Sequence, residues 1–176
     1  MRARGALEPL LAESILIDGD NPGAERLRQM GELTYLFFRN PIFANLPLHQ
    51  ARRQIQPPVD LDQFVIFRDG ERPRAAITWA FLSEAAEARF LAAKPLEPRE
   101  WRSGTRMWVM DMISTFPNSG GAKAARWFLN SIPGHVQRLS WIRAGGDSGS
   151  RKRLDLTRED GCWHLAAICK IDLKEQ

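Results

Sequence analysis

The sequence predicts an α+β domain in which helices flank a mostly antiparallel sheet. Three observations point there. Helix-period segments come first, and a strand–turn–strand pattern around Asp69-Gly70 follows them. A nearly unbroken apolar run, Met107 to Ile113, suits a strand buried on both faces. A glycine turn, Asn118-Ser119-Gly120-Gly121, then leads from that run into another helical pattern.

Residues 1–20 read as an arm whose Leu7, Leu10, Leu11, Ile15 and Ile17 can dock on a body formed by residues 21–176. Asp20-Asn21-Pro22 is a helix start, with Leu27, Met30, Leu33, Thr34 and Phe37 at helical spacing and Asn40-Pro41 as the stop. A short helix runs from Pro47 to Arg53, and Gln56-Pro57-Pro58 breaks the chain. Gln63–Phe67 and Arg74–Leu82 form a hairpin. Ser83, with Glu87 nearby, opens an alanine-rich helix over Glu84–Ala93, ended by Pro95 and Pro98. Arg106–Thr115 is the central strand, and Asp111 is the charge that interrupts it. Lys123–Ile132 is a helix with Ala124, Ala125, Phe128 and Ile132 facing the core. Val136–Ala144 is a strand, Gly145–Ser150 a loop, and Lys152–Leu156 with Cys162–Ile171 a closing hairpin. No internal repeat is evident.

The 176 residues are 44% hydrophobic and 26% charged, enough for one globular core and incompatible with a mainly disordered chain. No apolar run reaches the ~18 residues of a membrane span. The N-terminus has no secretory h-region, since Glu8, Glu13 and Asp18 interrupt it. Cys162 and Cys169 lack zinc spacing, and an odd separation puts them on opposite faces of a strand. They read as reduced, buried thiols of a cytoplasmic protein. The net charge of +4 and a pI near 9.5 predict an acidic partner: a nucleic acid, a membrane surface or an acidic carrier protein. Nucleic acid is disfavoured, because the excess charge is small and no groove-reading motif is present. Three dispersed histidines give no metal site, and His164 reads as a packed core residue.

Several segments together resemble one family. They are Tyr35–Pro47; Gln63-Phe64; Pro73; Thr78-Trp79-Ala80-Phe81-Leu82-Ser83; Trp101-Arg102-Ser103-Gly104; Arg106-Met107-Trp108-Val109-Met110-Asp111; and Ile113 to Phe116 with Gly120-Gly121. Over residues 35–132 this is similar to the toxin-activating lysine acyltransferases of the hemolysin-C type, which move a fatty acyl chain from acyl carrier protein to internal lysines of an RTX protoxin. The resemblance implies a GNAT-like fold, acyl-carrier-protein thioester as cosubstrate with no bound cofactor, a protein acceptor, cytoplasmic location and possible self-association as a homodimer. It implies that Asn118, Ser119, Gly120 and Gly121 receive the acyl donor beside a splayed central strand.

Catalysis in that family is assigned to a histidine and an aspartate. Asp111 matches the aspartate, in the setting Trp108-x-x-Asp111. Its alternative is a structural ion pair with an arginine. The family histidine falls on Phe43, which cannot take a proton. Either His49, in Pro47-Leu48-His49, acts as the base, or Asp111 and positioning suffice, or the chain is a non-catalytic or diverged member that binds acyl carrier or another acyl thioester without the family's histidine chemistry.

Overall fold

The computed structural model describes residues 22–41, 43, 45–116, 120–144 and 151–171. The expected N-terminal arm, residues 1–20, lies outside them. Helix α1 (Ala24–Arg39) and α2 (Leu48–Asp60) precede the hairpin β1 (Phe64–Asp69) and β2 (Arg72–Leu82). Helix α3 (Glu84–Leu91), a 3₁₀ turn (Pro98–Trp101) and β3 (Arg106–Ser114) follow. Helix α4 (Gly120–Ser131) leads to β4 (Arg138–Ala144), β5 (Arg151–Glu159) and β6 (Cys162–Ile171). The six strands form one sheet in chain order. Every neighbouring pair is antiparallel except β3 and β4, which α4 joins as a crossover.

The period of the sequence decides which layer each element joins. Leu33, Leu36 and Phe37 of α1 and Ala51, Ile55 and Val59 of α2 are buried against Ala76 and Ile113. Ala86 of α3, Leu96 and Trp101 pack on Ala80, Leu82 and Trp108 of the same sheet face. Phe128 and Ile132 of α4 cover the opposite face, where Ile77, Met107, Val109 and Leu139 point. Each buried Leu, Ile, Val, Phe or Met side chain among these contributes about 1.5–3 kcal/mol relative to its exposed state. Ser83 caps α3 through the Ala86 N–H, as its position before the alanine-rich run predicts. Asp160 and Gly161 both take positive φ, which gives the closing hairpin its tight turn.

Several expectations need correction. Pro57 and Pro58 do not break the chain: both lie inside α2 and are buried. They sit in its last turn, where Leu61 N–H and Gln63 N–H donate to their carbonyls, and ring burial offsets the missing donors. Leu27 is exposed, and Leu36 takes the core position. Helix α4 begins at Gly120, before Lys123. Cys162, Cys169 and His164 are exposed, because β6 is the edge strand and its helix contact runs through Trp163, whose indole N–H donates to Leu129 O at 2.8 Å. The two cysteines share a face, since Asp155 pairs with Ala167 and Leu156 with Leu165, leaving Ala166 as an extra residue between them. No described helix is long and apolar enough to cross a membrane.

Gly104 lies where a Cβ would stand 2.5 Å from Leu82 O and 2.6 Å from Ser83 backbone. Gly31, inside α1, has open space around it. Gly104→Ala should therefore lower stability by about 2–4 kcal/mol, whereas Gly31→Ala should raise it by about 0.5–1 kcal/mol through helix propensity. Urea unfolding of both variants checks the pair, and equal effects would contradict the packing described.

Candidate active site

Strand β3 holds one residue more than its neighbour. Thr78 pairs with Asp111 and Trp79 with Val109, so Met110 is a bulge. A spacing of three puts two residues on opposite faces of a regular strand. The bulge removes that difference. Trp108 and Asp111 both face the side of the sheet that carries α1, α2 and α3, beside Ala80 and Thr78 respectively.

The same place is where the sheet opens. β3 and β4 pair at three positions, Met107 with Leu139, Trp108 with Ser140 and Val109 with Trp141, and then part. A cleft of about 680 Å³ lies at this divergence. Met110, Asp111 and Met112 form one wall, and Trp141, Ile142 and Arg143 the other. Helix α2 contributes His49, Arg53 and Gln54, and the segment after α3 contributes Lys94 and Leu96.

Asp111 is half-buried in this cleft. The Thr78 hydroxyl lies 3.5 Å from its carboxylate and accepts from the Asp111 N–H at 3.2 Å. Among the described residues it forms no ion pair, so no described arginine is its partner. Burial pushes its carboxyl up to about 7, against the Thr78 hydrogen bond, which favours the charged form. It is the cleft's one carboxylate among the described residues. Four exposed cations, Arg53, Lys94, Arg143 and Arg151, line the cleft and have no acidic partner among the described residues. Among the described residues the cleft is thus apolar and basic around a single carboxyl that burial pushes up to about 7.

The sequence-predicted residues are only partly brought together. His49 and Phe43 line the same cleft as Asp111. Phe43 is half-buried and its ring packs on Phe37, with centroids 4.8 Å apart. His49 is exposed in the first turn of α2. Gly120 and Gly121 open α4 and do not line the cleft; Asn118 and Ser119 lie outside the described residues. Gly120 has a packing reason of its own, since a Cβ there would meet Phe116 Cβ at 2.2 Å. Sequence reasoning missed Gln54 and the role of Trp101 in the cleft. Gln54 Oε1 and Trp101 Nε1 are buried and have no hydrogen-bond partner among the described residues. Such a group costs about 1–3 kcal/mol when left unpaired.

The fold and site define an α+β protein with a half-buried carboxyl, Asp111, set in an apolar cleft between diverging parallel strands. The RTX toxin acyltransferase family (HlyC) matches residues 23–151, and the chain belongs to that family. The protein-lysine palmitoyltransferase CyaC of Bordetella bronchiseptica is 27% identical over 124 residues, 70% of this chain and 67% of that protein. The leukotoxin-activating lysine-acyltransferase LktC of a Pasteurella haemolytica-like species is 29% identical over 91 residues, 51% of this chain and 55% of that protein. The protein-lysine myristoyltransferase HlyC of Escherichia coli is 28% identical over 95 residues, 53% of this chain and 56% of that protein. For LktC and HlyC the match thus spans a little over half of the relative's length. The family match takes in α1, the cleft and β4, and ends where β5 begins.

The raised carboxyl has a signed consequence for stability. Its folded value lies above the ~4 of an unfolded aspartate. The protonated form therefore favours folding fully below about pH 4, and that contribution is lost as pH rises through about 7. Asp111→Asn cannot ionise, so its stability relative to wild type should improve steadily from about pH 4 to 8. Urea unfolding across that range measures the difference, and a flat difference would show a fully solvated carboxylate.

Proposed function

We propose that the chain transfers a fatty acyl group from acyl carrier protein to a lysine amine of a protein acceptor of the RTX protoxin kind. One observation carries this reading: the Asp111 carboxyl, unpaired with any described cation, stands in the cleft where β3 and β4 part. Family membership and the lysine-acyltransferase names of the relatives support it.

In this reading the donor's thioester lies along the β4-facing edge of β3 beyond Val109, which has no strand partner. Backbone N–H groups there are suited to receive the oxyanion. The acceptor lysine arrives as an ammonium and gives a proton to ionised Asp111. The neutral amine attacks the thioester carbonyl carbon, the C–S bond breaks, and the thiolate leaves on the carrier's arm and takes up a proton. The product is an amide on the lysine. A carboxyl near 7 is matched to this task, because it is partly ionised at neutral pH and still basic enough to hold a proton. Its raised value compensates for Phe43, which occupies the family's histidine position. His49 is then a helper at the cleft rather than the required base. The unpaired cations at the cleft suit an acidic carrier protein and give its capture a salt dependence. Asn118 to Gly121 remain a donor contact in this proposal.

Phe43 also favours a second reading, in which the chain binds acyl carrier without turnover. Incubation with acyl-carrier thioester and an acceptor, read by intact mass, separates the two. Asp111→Asn should cut transfer by about 10²–10⁴-fold with the fold retained. Wild-type rate should rise with pH through about 7, and the variant should lose that limb. Phe43→His should raise the rate if a second base is useful, and His49→Ala should cost far less than Asp111→Asn. Carrier binding with no transfer at any pH would establish the second reading.

A further inference from the structure

We propose that Gln54 and Trp101 form a binding site for a secondary amide of the donor's pantetheine arm, an inference that rests on the reading of the cleft as an acyl-thioester site. Both residues line the cleft. Trp101 is 3% exposed, and its Nε1–H is a donor without a partner among the described residues. Gln54 Oε1 is a buried acceptor in the same condition. One donor and one acceptor are complementary to one C=O and one N–H, the two groups that a secondary amide presents.

The indole is firmly supported. It ends the 3₁₀ turn Pro98–Trp101, which Glu97 and Glu100 close with a reciprocal capping box. The Gln63 side-chain amide donates to Trp101 O at 3.2 Å and to Trp79 O at 3.3 Å. Ser103 N–H and Gly104 N–H both donate to Phe81 O just beyond it. A donor held this firmly, with no acceptor among the described residues, is preorganised for a ligand.

The chemistry of the cleft favours the donor arm over an acceptor backbone. Its exposed cations, Arg53, Lys94, Arg143 and Arg151, suit a phosphate diester. The unpaired neutral pair is buried, and Asp111 marks the reacting end. Phosphate, amide and thioester follow one another in that order along a phosphopantetheine arm.

Two measurements test the inference. In the first, unacylated pantetheine is titrated into the full chain and the Trp101 indole ¹⁵N–¹H resonance, assigned with Trp101→Phe, is followed. A saturable shift is expected, and an unmoved resonance overturns the proposal. In the second, kcat/KM is compared for acyl thioesters of N-acetylcysteamine, which carries the amide, and of ethanethiol, which does not. Wild type should prefer the amide donor, and Gln54→Leu should reduce that preference by about tenfold, the worth of one hydrogen bond. Gln54→Leu lies on a half-buried helix position, so it tests the site even if Trp101→Phe folds poorly. A preference that is unchanged in Gln54→Leu overturns the proposal, as does a defect confined to the KM of the acceptor. If pantetheine moves the indole but neither thioester is consumed, the amide site stands and the acyl-transfer reading fails.

Discussion

One extra residue in the third strand governs the geometry of the site. Without the Met110 bulge, Asp111 and Trp108 would point to opposite faces, and the carboxyl would meet α4 and its apolar layer. With it, the carboxyl enters the helix-bearing side, next to the Thr78 hydroxyl and at the mouth of the strand divergence. The strand bends at a bulge, and here the bulge coincides with the end of β3–β4 pairing. A single local irregularity therefore coincides with both the placement of the carboxyl and the opening of the cleft.

The rest of the fold holds this arrangement in place. Trp108 is fully buried, and its indole N–H donates to Glu87 of α3 at 2.8 Å. Arg106 forms an ion pair with the same Glu87, and the Arg153 guanidinium lies 4.9 Å from the Trp108 ring centroid. These contacts fix the residue two before the bulge to a helix and to β5. On the other side, Ile113 is locked into the cluster of α1 and α2. The bulge thus sits between two well-packed anchors, which limits how far Asp111 can turn away. Exposed ion pairs such as Arg106 with Glu84 add little, since water screens them.

Much of this was legible in the sequence. The order of elements, the Asp69-Gly70 and Asp160-Gly161 turns and the Ser83 cap follow from local chemistry that leaves a clear signature. Asp111 also stood out, because a charge in an apolar strand demands a physical reason. The spacing of Trp108 and Asp111 held a further clue: two residues wanted on one face at a separation of three imply a bulge. Other features were hidden because they depend on neighbours far along the chain. Pro57 and Pro58 read as a break, yet burial of their rings keeps them in α2. Cys162, Cys169 and His164 looked like core residues, and only the sheet order makes their strand an edge. Gln54 and Trp101 line one cleft from α2 and the 3₁₀ turn, positions that no local pattern relates.

Burial in the opened cleft, reached through the Met110 bulge, pushes the Asp111 carboxyl up to about 7. The direct test is a pH titration of the side-chain carboxyl ¹³C resonances of the full chain, with Asp111→Asn to assign the signal. A midpoint at about 7 is expected for Asp111. A midpoint near the ~4 of a solvated aspartate would contradict it and would remove the argument that this carboxyl can act as base without the family histidine.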